Sequence, residues 1–100
     1  MPSILFICTA NQFRSPIAEA YFKQKITTIG TTDGWIIGSA GTWAQSNLPA
    51  HTKAIEVARK IGLDLSSHRT REVDAKLLTS TNLIVVMQES HKEAIEMEFP

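Results

Sequence analysis

Two apolar runs with no polar interruption, Ile4-Leu5-Phe6-Ile7 and Leu83-Ile84-Val85-Val86-Met87, constrain this chain more than any other feature. A continuous run of this kind is expected of a strand buried on both faces, as in a parallel sheet. A shorter run, Trp35-Ile36-Ile37, leads into Gly38-Ser39-Ala40-Gly41-Thr42 and reads as another strand. Helical patterns separate the three. Strand-helix alternation with apolar strands predicts an α/β fold: a three-layer, doubly wound parallel sheet with helices on both faces.

The helices are marked by their ends. Ser15-Pro16 reads as an N-cap followed by proline at the first helical position, with Glu19 in the first turn and the helix ending before Gly30. Thr31-Thr32-Asp33-Gly34 reads as a turn. His51 to Ile61 fits a helix with Ile55, Ala58 and Ile61 on one face and Gly62 as its stop. Leu63 to Thr70 reads as irregular, Arg71 to Leu78 as a short helix, and Ser90 to Met97 as the start of another. No repeat or linker divides residues 1–100, so a single domain is expected.

In such sheets the loops following each strand gather at one edge, where ligands bind. Cys8, Ser39 to Trp43 and Gln88-Glu89 all fall there. The loop Cys8-Thr9-Ala10-Asn11-Gln12-Phe13-Arg14-Ser15 carries the chemistry. Its backbone N–H groups can turn inward as an anion nest, completed by the helix that follows. Asn11 tolerates the left-handed conformation a ring-shaped loop needs. Arg14 offers a planar fork of donors to two phosphate oxygens. Cys8, beneath those groups, is placed as a thiolate nucleophile for in-line attack on phosphorus, with Ser15 as a donor to the sulfur. The plain alternative is a cysteine serving as a small buried hydrophobe and an arginine lying on the surface. Strand, turn-forming loop and Ser-Pro helix start together lift the phosphate site to an equal footing with that alternative, and both stay open on residue chemistry alone.

Charge and cysteine usage narrow the partners. Ten basic and ten acidic side chains give no net charge, so neither nucleic acid nor anionic lipid is indicated. A single cysteine excludes an internal disulfide and suits a reducing cytosol. No secretory or membrane-spanning segment stands out, and a cytoplasmic protein without membrane insertion is expected. His51, His68 and His91 lack metal-ligand spacing, so neither a metal nor another cofactor is expected, and His51 and His91 read as surface groups. Asp33, Asp64 and Asp74 read as solvated turn or helix-end residues, and Arg69, Arg71, Lys53, Arg59 and Lys60 as solvated faces. Trp35 reads as strand core or rim, and Trp43 as either packing or cleft wall.

The run from Cys8 to Glu19 closely resembles the N-terminal signature of the low-molecular-weight protein-tyrosine-phosphatase family, bacterial branch. Ser39-Ala40-Gly41-Thr42, the Pro49 loop, Gly62-Leu63 with Ser67-His68, and Leu83 to Met87 fall in the family's order. The resemblance implies hydrolysis of aryl phosphate monoesters, with a phosphotyrosine-containing protein or small aryl phosphate as substrate and inorganic phosphate as product. It implies that Cys8 is the nucleophile and Arg14 the phosphate ligand. Asn11, Ser15, Ser39 and His68 would form the network that shapes the loop, and Gln12, Phe13 and Trp43 would wall the cleft.

Two departures from the family carry consequences. Phe13 stands where many members have a second, protective cysteine, which exposes Cys8 to over-oxidation. The family's general acid is an aspartate in an Asp-Pro pair, and no Asp-Pro occurs in these 100 residues. Glu89, just past the third strand, lies on the correct edge, but only its position speaks for it as a substitute, and the acid is read as missing. The expectation drawn is a C-terminally shortened form of a longer phosphatase, whose open sheet side favours homo-oligomers. Two other readings stay in view: a phosphate- or phosphopeptide-binding module without efficient turnover, and an arsenate reductase-like enzyme. The latter needs further cysteines after the third strand, where Met87-Gln88-Glu89-Ser90 stands.

Overall fold

The structure, a computed structural model, describes residues 3–29, 35–87 and 89–98. In chain order these form β1 (Ser3–Cys8), α1 (Arg14–Ile29), β2 (Ile36–Gly41), α2 (Thr52–Lys60), α3 (Ala75–Thr79), β3 (Leu83–Val86) and α4 (Glu89–Glu98). The three strands make one parallel sheet in the order β2-β1-β3. Its central strand, β1, is buried along its whole length, as its unbroken apolar run requires.

Alternate side chains of β1 serve opposite layers. Leu5 and Ile7 pack with Ala40, Val73, Leu77 and Leu78, and with Ile95 of α4. Phe6, on the other side, meets Phe22 of α1 edge-on at 5.7 Å between centroids. Outside α1 lies α2, which presents Ala54 and Ala58 together with Leu63 and Leu65 toward Ile17 and Ala20. Alanines four residues apart leave no bulk between the helices, so the two layers approach closely. The doubly wound α/β reading therefore holds.

Several local expectations need correction. Helix α1 begins at Arg14, two residues earlier than the Ser-Pro signal suggests, because Phe13 O already accepts from Ile17 N–H (3.3 Å). Ser15 thus lies inside the helix and its hydroxyl is not a cap; Pro16 still sits in the first turn, where its missing N–H costs nothing. Glu19 falls beyond that turn. Arg71 to Asp74 is extended instead of helical: Glu72 bridges to Gly41, and Asp74 caps α3 by accepting from Leu77 N–H at 2.7 Å. At the end of α2, Ile61 is an exposed C-cap, so the buried stripe is Ala54 and Ala58. Gly62 follows at φ +82°, the left-handed stop a Cβ would oppose. The third strand is half-buried, with Leu83 54% exposed, because β3 lies at the sheet edge. Trp35 precedes β2 and packs edge-on against Phe22 at 5.6 Å. The expected turn at 31–34, with Asp33, lies outside the described residues.

Candidate active site

Parallel register brings the strand exits together. Cys8 pairs with Gly41, and Met87 N–H donates to Ile7 O at 3.0 Å. Pairing continues past β1 and β2 into the loops: Thr42 N–H donates to Cys8 O and Trp43 N–H to Thr9 O, each at 2.9 Å. The approach is close enough that a Cβ on Gly41 would meet Thr9 O, Ala44 and the Asn11 nitrogen. Only glycine lets β2 run this near the Cys8 loop.

Within that loop Asn11 is the centre. It is fully buried, at 0% exposure, with φ 58°. Its amide nitrogen donates to Ser15 Oγ and to Ser39 Oγ, both at 2.9 Å, and its side-chain oxygen accepts from Arg71 N–H at 2.9 Å. That last donor fixes which end of the amide is oxygen. His68 Nε2 lies 2.8 Å from the Asn11 carbonyl. The Ser39 hydroxyl in turn donates to Glu19 Oε1 at 2.6 Å, and Glu19 also holds Lys23 at 2.7 Å. Ser15 Oγ, already accepting from Asn11, lies 2.9 Å from Cys8 Sγ. With its lone pair engaged, the Ser15 hydroxyl proton is free to point at the sulfur. The result is one polar chain, Glu19–Ser39–Asn11–Ser15–Cys8, ending on a buried thiol that is 3% exposed.

The front of the loop faces a cavity of about 210 Å³ lined by Cys8, Thr9, Ala10, Gln12, Phe13, Arg14 and His51. Gln12 is held at its wall by bonds to Pro49 O (3.2 Å) and from His51 N–H (2.9 Å). Phe13 and His51 tilt together with centroids 6.0 Å apart. The Trp43 side chain is 83% exposed, which rules out packing, and it stands outside the lining of this cavity. Behind the loop a hollow of about 400 Å³ borders Glu19, Ser39, His68 and Arg71, the rear of the same network.

Sequence reasoning misses four contributors. His51, read as a surface group, is exposed yet lines the cavity and caps α2 by accepting from Lys53 N–H (3.0 Å). Arg71 is not merely a solvated cation: its Nε donates to Ser39 O at 2.8 Å. Glu19 stands four residues after Ser15, a helical spacing that keeps both on the side of α1 facing the loop. His91, expected on the surface, is 2% exposed and lies 3.0 Å from Thr9 Oγ1 through Nε2. Burial, and next the charge of Arg14, hold its pKa below the ordinary 6.5. Asp64 and Asp74 are exposed and engaged in local caps, while the Glu89 side chain lies outside the described residues. No cluster of three or more metal-ligating side chains occurs among the described residues.

The central strand of the parallel sheet thus ends in a buried cysteine, followed by a tight loop and a helix. The family model for low molecular weight phosphotyrosine protein phosphatase matches residues 3–100, and the chain belongs to that family. A putative low molecular weight protein-tyrosine-phosphatase of Klebsiella pneumoniae is 41% identical over 93 residues, covering 93% of this chain and 60% of the relative. Arsenate reductase of Staphylococcus aureus is 35% identical over 85 residues, covering 85% of this chain and 59% of that protein. Among solved structures, the low molecular weight protein tyrosine phosphatase from T. tengcongensis superposes with TM-score 0.91 at 36% identity, covering all of this chain (100%) and 67% of its own. The tyrosine phosphatase Wzb from Escherichia coli K30 in complex with sulphate gives TM-score 0.85 at 38% identity, over 95% of this chain and 62% of its own. The chain thus spans about 60% of the length of the curated relatives it matches.

Proposed function

We propose that this chain hydrolyses aryl phosphate monoesters of the phosphotyrosine type through a cysteinyl-phosphate on Cys8. The observation that carries the reading is the buried Cys8 sulfur, 2.9 Å from Ser15 Oγ, at the floor of a cavity that Arg14 also lines. In the proposed reaction the sulfur attacks phosphorus, the P–O bond to the aryl group breaks, and water then cleaves the S–P bond to release inorganic phosphate. The fork of Arg14 and the N–H groups of residues 9–14 carry the charge on the equatorial oxygens. Asn11, Ser39 and His68 hold the loop in shape, and Gln12, Phe13 and His51 wall the cleft, with exposed Trp43 at its rim. The partner is a phosphotyrosine-containing protein or a small aryl phosphate. No helix among the described residues is long and apolar enough to cross a membrane, and a cytoplasmic setting suits the lone free thiol.

Residues 1–100 hold no aspartate beside a proline, so a preparation of these residues alone is predicted to lack a general acid of that kind for the leaving oxygen. Loss of general acid assistance is worth about 10²–10⁴-fold. Turnover should therefore depend steeply on leaving-group acidity, with p-nitrophenyl phosphate hydrolysed and phosphotyrosine peptides barely. Equal rates on the two would show that an acid is at work. A second reading, a phosphate-binding module without efficient turnover, draws on the same loop, whose hydrogen-bond network around Asn11 and Cys8 is complete whatever the fate of a leaving group. Cys8→Ser separates the two: a phosphatase loses turnover and keeps phosphate binding, whereas a binding module has no turnover to lose. Residues 1–100 offer Cys8 no second cysteine to resolve an oxidised intermediate, so these residues alone are not expected to reduce arsenate.

A further inference from the structure

We propose that His91 is a positioning residue for the phosphate loop, holding the Thr9 hydroxyl from α4 so that it donates to an anion in the cavity. The inference rests on the reading of residues 8–15 as an anion site. Its first support is place: α4 carries Lys92, Glu93 and Glu96 in solvent, yet His91 is 2% exposed against the loop. Its second is geometry, with Nε2 at 3.0 Å from Thr9 Oγ1. The third is what Nδ1 lacks. Among the described residues it is the buried side-chain nitrogen or oxygen with no hydrogen-bond partner. An apolar side chain would fill the same space without that desolvation cost, so packing does not account for an imidazole here.

The tautomer follows from these facts. Burial and the nearby Arg14 charge favour the neutral ring. A buried N–H without an acceptor is rarer than a bare acceptor, so the proton belongs on Nε2 and Nδ1 is left as the bare nitrogen. Nε2–H then donates to Thr9 Oγ1, and the Thr9 hydroxyl proton has no call on it from the histidine. Thr9 follows Cys8 directly, lines the cavity with it, and has its backbone carbonyl held by Trp43 N–H at 2.9 Å. Two ties, from the β2 exit and from α4, thus aim one hydroxyl at the anion position.

Sulfate is the suitable probe, because it stays a dianion across the neutral range and brings no titration of its own. Calorimetric titration with the wild-type chain, His91→Leu, His91→Asn, Thr9→Val and Arg14→Ala decides the matter. His91→Leu and Thr9→Val should each weaken sulfate binding about tenfold, as loss of one hydrogen bond to a charged group implies. Combining the two should cost no more than either alone, and His91→Asn, which can still donate to Thr9, should keep most of the affinity. Nitrogen NMR of His91 should show the proton on Nε2; a proton on Nδ1 overturns the assignment. Sulfate binding that is absent in the wild type, or unaffected by Arg14→Ala, overturns the loop reading and this inference with it. Binding that depends on Arg14 but is unchanged in Thr9→Val overturns the role of His91 alone, even if His91→Leu fails to fold.

Discussion

Asn11 reaches Ser39 across 28 residues of sequence, its amide nitrogen 2.9 Å from the hydroxyl. This bond joins the loop after β1 to the body of β2 and makes the loop's shape a property of the sheet. Asn11→Ala removes this bond, the one to Ser15 and the one from Arg71, and leaves a Cβ at φ 58° without its polar compensation. Destabilisation of about 2–4 kcal/mol is expected by urea unfolding, together with a large loss of turnover. Asn11→Gly should recover about 1 kcal/mol of it by relieving the backbone, while activity stays low. If both variants unfold like wild type, the network is not what holds the loop.

Arg14 offers a second test. Arg14→Lys keeps the charge but loses the planar fork, so kcat/KM for an activated aryl phosphate should fall about 10²–10³-fold, in line with removal of a transition-state donor. The variant should fold normally, since Arg14 lies exposed at the start of α1. A loss confined to KM would mean that the side chain binds substrate without acting in the transition state.

The pH dependence of stability carries a defined sign at His91. Burial first, and the Arg14 charge second, hold its native pKa below 6.5. Between that depressed value and the unfolded one, the unfolded chain binds more protons, so stability rises with pH. The contribution is complete above about pH 6.5 and is lost as the pH falls through the native value. Denaturant unfolding from pH 7 down to pH 5 should show this slope, bounded by about 1.4 kcal/mol per pH unit for one proton. His91→Asn should flatten it. An unchanged slope would place the titration elsewhere.

The outer edge of β3 pairs with no strand among the described residues, and Leu83 on it is 54% exposed. Such an edge templates association. Light scattering should show dimers growing with protein concentration, and Leu83→Lys should suppress them without unfolding the chain. A concentration-independent monomer would contradict the expectation of homo-oligomers.

The strands and the Cys8 loop were legible in the sequence because their signals are local. An unbroken apolar run, a turn-forming loop and a proline in the first helical turn lie within the first 16 residues. What escaped depends on distant partners. The polarity around His91 marks a solvated helix correctly on every side but the one that meets Thr9. Arg71 to Asp74 has helical composition, yet Glu72 finds a place beside Gly41 and the bridge outweighs propensity. The run Leu83 to Val86 resembles β1 in composition, but its position at the sheet edge leaves it half-covered. Glu19 was visible as a charge on a helix, and its use as the anchor of a buried polar chain was not.

Trp43 stands 83% exposed while its own backbone nitrogen is tied to Thr9, the residue beside Cys8. The chain's other tryptophan, Trp35, is packed against Phe22 and half-covered. The protein therefore carries a built-in optical reporter. If residues 8–15 hold an anion as proposed, adding sulfate should change the emission of this solvent-facing indole, which is tied to the loop through its own peptide N–H, against the background of the half-covered one.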